Sequence, residues 1–202
     1  MVNGAVGAIT DRPVRVLADI WPRSAGREVA LVVGAAAMVG VAAQITVPVP
    51  GSPVPITGQT FAVLLAGAAL GPARGAAGML LYVVAGAAGL PWFAGGTAGV
   101  PTATFGYLIG FVLAAGCVGR LAAGGADRRA WRTIGMMAAG TALIYLIGVP
   151  WLMVAAKVDL SKALTVGMIP YLPGDAVKAM LAAGLLPTAW RLLDRRSGGT
   201  QG

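Results

Sequence analysis

The chain has 202 residues, 57% of them apolar and only 11% charged, with a formal net charge of +8. So much apolar surface cannot be hidden by a soluble chain of this length, so lipid is its natural solvent; the arginines sit at the ends of apolar runs rather than among aromatics, which excludes a nucleic-acid partner. With no histidine and one cysteine, Cys117, the composition also excludes a zinc site, histidine-based acid–base chemistry and an internal disulfide.

Residues 1–28 read as a polar, basic tail. The first apolar run starts only near Glu28 and exceeds the about 7–15 residues of a signal segment, so a cleaved leader is not expected. A membrane span needs about 20 apolar residues, fewer where a helix is sheltered by its neighbours. Six such segments follow in order: 29–47, a short one at 58–70, then 75–90, 103–122, 133–155 and 174–193. Together residues 29–194 form one membrane domain, and 195–202 form a short C-terminal tail. The fold class expected is therefore an all-α integral membrane protein with six transmembrane helices.

The charges sort with this count. Arg12, Arg15, Arg23 and Arg27 precede the first span, and Arg74 lies between the second and third. Arg120, Arg128, Arg129 and Arg132 surround the fourth connection, and Arg191, Arg195 and Arg196 end the last span. With six spans all twelve fall on one side, against Lys157 and Lys162 on the other. The excess of positive charge on cytoplasmic loops then places both termini in the cytoplasm.

The external connections are of another kind. Val47 to Pro55 has no charge and four prolines, which prevent helix and stiffen the path. Pro91 to Pro101 is also uncharged, with Trp92, Phe93 and three glycines. Uncharged loops of this type suggest segments folded back over the helices as a lid; ordinary turns with interfacial aromatics are the alternative.

Chemistry is concentrated in the last span. An ionisable group within a membrane costs about 2.5–3.5 kcal/mol at a helix centre, so it is kept for a reason. Asp175 and Lys178 are three residues apart and share one helix face, just after Pro173-Gly174. They are either a neutralised cap or the polar heart of a small-ligand pocket. Thr57, Gln59, Thr102, Thr104 and Tyr107 lie near the same external side, with Trp92 and Phe93 available to cover an apolar part of a ligand. In the first span Ala36 and Gly40 have the spacing of small residues that admit a second helix, from within the chain or from a partner. No G-x-x-x-x-G-K-[ST] phosphate loop occurs, so ATP-driven work needs a partner.

Several segments in order carry a resemblance: Pro53-Val-Pro-Ile-Thr-Gly-Gln-Thr60, Leu70-Gly-Pro72, Gly89-Leu-Pro-Trp-Phe-Ala-Gly-Gly96, Gly106-Tyr-Leu-Ile-Gly-Phe111 and Pro173-Gly-Asp-Ala-Val-Lys178. From about Ala42 to Leu186 the chain resembles the BioY family, biotin-specific substrate-binding (S) components of energy-coupling factor (ECF) transporters. The resemblance implies the S-component fold, capture of biotin at the external face of the cell membrane, and a complex with a transmembrane T component and two ATPase subunits. It implies no catalysis and no cofactor, biotin being cargo. It makes Asp175 and Lys178 ligand contacts, with Gln59, Phe93, Thr104 and Tyr107 beside them, and it assigns Ala36 and Gly40 to the T-component surface. Other readings are an S component for a different small vitamin, a stand-alone carrier, and a membrane enzyme built on an intramembrane carboxylate.

Overall fold

The computed structural model describes residues 15–100 and 103–198. Seven α-helices carry the architecture: α1 (Ala25–Ala42), α2 (Gln59–Leu70), α3 (Pro72–Ala87), α4 (Phe105–Ala123), α5 (Ala130–Ala156), α6 (Leu160–Gly167) and α7 (Leu172–Gly198). A two-stranded antiparallel pair, β1 (Thr46–Val47) with β2 (Ile56–Thr57), closes the proline-rich loop at its base.

Local sequence sets most helix ends. Ser24 caps α1, its hydroxyl accepting from the Arg27 backbone N–H at 3.3 Å, so the helix begins before the apolar run and ends at Ala42 rather than Val47. Gly71 alone joins α2 to α3; it has φ +85°, a conformation that favours glycine, and Pro72 then starts α3 with its φ already set. Lys157 ends α5 in a left-handed conformation, and Asp159 caps α6 by accepting from the Lys162 backbone N–H at 2.7 Å.

Among the described residues, four stretches are long and apolar enough to cross a membrane: α1, α4, α5 and the run Leu160–Arg195 that joins α6 to α7. The chain is a membrane protein. The 12-residue α2 is about 18 Å long at 1.5 Å per residue, too short to cross alone. It is sheltered instead, with Ala62, Val63, Leu64, Ala66 and Ala68 all buried.

Small residues bring the helices together. A Cβ on Gly119 of α4 would stand 2.4 Å from the Gly71 carbonyl carbon, and one on Gly67 of α2 would stand 2.6 Å from the Ala115 carbonyl oxygen. Here backbone meets backbone, the close approach that small residues permit between membrane helices. Ala36 and Gly40 belong to the same packing. Ala36 is wholly buried, and a Cβ on Gly40 would lie 3.1 Å from the Trp92 ring. This corrects the expectation that the pair forms a surface for a T component: their side of α1 is covered by the chain itself, and the outward side carries Gly34 and Ala37 instead.

At the end of the bundle opposite the proline-rich loop, the segment before α1 folds back on the helices. Val16 and Ala18 are buried, and Asp19 and Glu28 pair with Arg74 at 3.0 and 2.5 Å. Burial pushes the Asp19 carboxyl up, but hydrogen bonds and charge from Arg74 and Arg23 outweigh it and hold the group below its ordinary value.

Candidate functional site

A cavity of about 370 Å³ opens where the proline-rich loop, the second loop and the α6–α7 connection meet. Its volume and its mainly apolar walls suit a small organic molecule. The six residues singled out in the sequence, Gln59, Phe93, Thr104, Tyr107, Asp175 and Lys178, all line it. So does Thr57, whereas Trp92 does not: its ring packs over Gly40 and against Tyr82, at 5.2 Å between centroids. Thr102 lies outside the described residues.

The charged end is built by α7. Asp175 is in its first turn and Lys178 follows one turn later, the Nζ 3.3 Å from Asp175 Oδ1. The same ammonium donates to Thr60 Oγ1 on α2 at 2.6 Å, and the Tyr145 hydroxyl on α5 donates to Asp175 Oδ2. The two charges are thus braced from two further helices. An ammonium has three hydrogens and a carboxylate about four acceptor positions, so both keep bonding capacity for a ligand.

The other wall is held by a chain of polar bonds. Thr57 Oγ1 donates to Gln59 Oε1 at 2.9 Å, and Gln59 Nε2 donates to the Tyr82 hydroxyl at 2.7 Å. The Tyr82 hydroxyl donates in turn to the Trp92 carbonyl at 3.2 Å, while Trp92 Nε1 donates back to the Tyr82 carbonyl at 3.0 Å. Phe93 seats its ring over Gly86 and edge-on to Tyr82 at 5.3 Å. Gln59 therefore positions the second loop as well as lining the cavity. Tyr107 is likewise committed: its hydroxyl donates to the Gly167 carbonyl at 2.9 Å, tying α4 to α6. Thr104 stands at the start of α4 and makes no capping bond through its side chain.

Both uncharged loops fold over the site. Pro53, Val54 and Pro55 contribute from the first, Phe93, Ala94 and Thr97 from the second. The first is fastened by Ser52, whose hydroxyl donates to the Val166 carbonyl at 2.6 Å and lies 2.8 Å from the Tyr171 hydroxyl. Tyr171 also donates to the Val54 carbonyl. Sequence reasoning missed Thr60, Tyr145 and Tyr171. The Lys178–Thr60 bond spans 118 positions and the Asp175–Tyr145 bond spans 30, so no local spacing announces either.

The BioY family model matches residues 16–195, nearly the whole chain. The chain belongs to the BioY family. A probable biotin transporter BioY from Pyrococcus horikoshii is 40% identical over 159 residues, covering 77% of this chain and 91% of that protein. The biotin transporter BioY of Thermotoga maritima is 38% identical over 150 residues, covering 73% and 86%. Among solved structures, the S-component for biotin from an ECF-type ABC transporter superposes with a TM-score of 0.72 over 84% of this chain and 95% of the other. At 21% identity that likeness establishes the S-component fold for this BioY chain. These relatives are named as transporters or as part of one, and none as an enzyme.

Proposed function

We propose that this chain binds biotin in the cavity between α2, α4, α5 and α7 and serves as the S subunit of a biotin uptake transporter in the cell membrane. One observation carries the reading: the residues that the BioY resemblance marks as ligand contacts, distant in sequence, line a single cavity of about 370 Å³. The names of the relatives agree with it. The apolar wall around Phe93, Leu108 and Phe111 suits the thioether ring and aliphatic tail, and the braced Asp175–Lys178 pair suits a group rich in both donors and acceptors. The cavity opens on the side poor in arginine, so six spans with both termini in the cytoplasm present it to the outside. Lacking a phosphate-binding loop, the subunit delivers its cargo through a T component and two ATPases. Calorimetric titration of the purified chain tests the ligand. Saturable one-to-one binding of biotin that other vitamins do not displace is the expected result; displacement by a different vitamin reassigns the cargo, and no binding of biotin overturns the reading.

A further inference from the structure

Two residues, Tyr145 and Asp175, line both the ligand cavity and a second hollow. This second space, about 750 Å³, is a groove between α5 and α7 with α6 across one end. Its walls are Ile134, Ala138, Leu146, Leu164 and Met180 with similar neighbours; besides Tyr145 and Asp175 the only polar side chain among its described lining residues is Thr141. Leu146 and Met180 are 69% and 59% exposed at its mouth, and both flanking helices lie in stretches apolar enough to cross a membrane. A groove open between two such helices would face hydrocarbon, and its apolar walls suit lipid acyl chains.

The ligand-binding carboxylate therefore has lipid behind it. Lys178, which holds Asp175 Oδ1, lines the ligand cavity and not the groove. Tyr145 faces both spaces and holds Oδ2, and its ring meets the Tyr107 ring edge-on at 6.4 Å. We propose that Tyr145 is a positioning and partition residue: its hydroxyl fixes the Asp175 carboxylate toward the ligand cavity, and its ring separates that cavity from the acyl chains. This rests on Asp175 belonging to a biotin site only for the affinity measurement below; the partition can be tested without ligand.

The experiment uses the full chain in liposomes. Dicyclohexylcarbodiimide, a carboxyl reagent that dissolves in the bilayer, is allowed to react, and modification of Asp175 is mapped by mass spectrometry. Tyr145→Ala should raise labelling of Asp175 several-fold, whereas Tyr145→Phe, which keeps the ring, should stay near wild type. Equal labelling of wild type and Tyr145→Ala overturns the partition. Tyr145→Val, a milder truncation, carries this arm if the alanine variant does not fold. In parallel, Tyr145→Phe should bind biotin about tenfold more weakly, the loss expected for one hydrogen bond to a charged group. In an Asp175→Asn background the same change should add little, because the residue acts through that carboxylate. An equal loss in both backgrounds, or no loss in the first, overturns the positioning role. Wild-type protein that fails to bind biotin overturns the proposed cargo and leaves the labelling result standing on its own.

Discussion

Asp175 and Lys178 are held as a braced pair, each by more than one partner. Each touches the other and one further side chain, Tyr145 for the carboxylate and Thr60 for the ammonium. Hydrogen bonds to charged groups are worth about 1.5–3 kcal/mol, so the loss of either charge should weaken biotin binding at least about tenfold. Asp175→Asn keeps shape and removes charge; Lys178→Ala removes the donor and leaves the carboxylate short of a partner. Calorimetry on both variants checks this, and unchanged affinity takes the pair out of the site. A buried acid elsewhere, Asp127, has a different role. It is fully buried in the turn between α4 and α5, and it accepts from Trp190 Nε1 at 2.6 Å. Its Oδ1 finds no partner among the described residues. Burial pushes this carboxyl above its ordinary value, and the Trp190 bond and Arg128 offset only part of that. The folded protein thus binds a proton that the unfolded chain releases at lower pH. Stability from this group is full below the ordinary aspartate range and is lost as pH rises through the raised value. The thermal midpoint of wild type should therefore fall as pH rises above the ordinary aspartate range, a decline that Asp127→Asn lacks.

At the scale of the helices, the joint between α2, α3 and α4 is the most exacting contact. A side chain at Gly119 meets the Gly71 carbonyl carbon at 2.4 Å and the Pro72 nitrogen at 2.5 Å, backbone atoms fixed by the one-residue turn between two helices. Overpacking costs about 1–3 kcal/mol, and here nothing flexible can give. Gly119→Ala should lower the thermal midpoint sharply, while Gly116→Ala one turn earlier, with its nearest neighbour at 3.7 Å, should barely change it. Apolar length and punctuation made these helices readable in advance. The expected boundaries at Gly58, Leu70, Gly75 and Ala122 fall within three residues of observed helix ends. Helix α6 was not anticipated: it lies between the expected fifth and sixth spans, and Asp159 in the capping position was a usable signal. The β1–β2 pair has two residues per strand, too few for any periodicity to register. Ala36 and Gly40 had the right spacing for close packing, but spacing alone cannot say whether the second helix belongs to the same chain. In the site, Gln59, Phe93, Tyr107, Asp175 and Lys178 were legible inside distinctive motifs, whereas Thr104 lies just outside one and Thr60, though it ends one, was missed. Tyr145 sits in an unbroken apolar run, where a tyrosine looks like any other filler of the helix.

For the whole molecule the decisive matter is which way it faces. The cavity is roofed by residues of the connections at 43–58, 88–100 and 157–171, and the arginine-bearing connection at 124–129 belongs to the other end. Between that arginine-rich turn and Lys162 lies one helix, α5, whose 27 residues span about 40 Å, more than the about 30 Å of a bilayer core. If α5 crosses, Arg129 and Lys162, both exposed, lie on opposite sides of the membrane, so a label at each tests the orientation. The single native thiol, Cys117, lies within α4 and can be replaced first by alanine. In intact cells an impermeant maleimide should then modify Lys162→Cys directly and Arg129→Cys only after permeabilisation. The reverse pattern would turn the cavity toward the cytoplasm, and a subunit facing that way could not capture a vitamin for uptake. Equal modification of both in intact cells would mean that α5 does not cross, and the six-span reading would fall with it. The expected pattern follows from the positive-inside bias of twelve arginines against two lysines. It also joins the two ends of the molecule: the end expected outside holds the apolar, braced cavity, and the end expected in the cytoplasm holds the Asp19–Arg74–Glu28 network on the segment leading into α1.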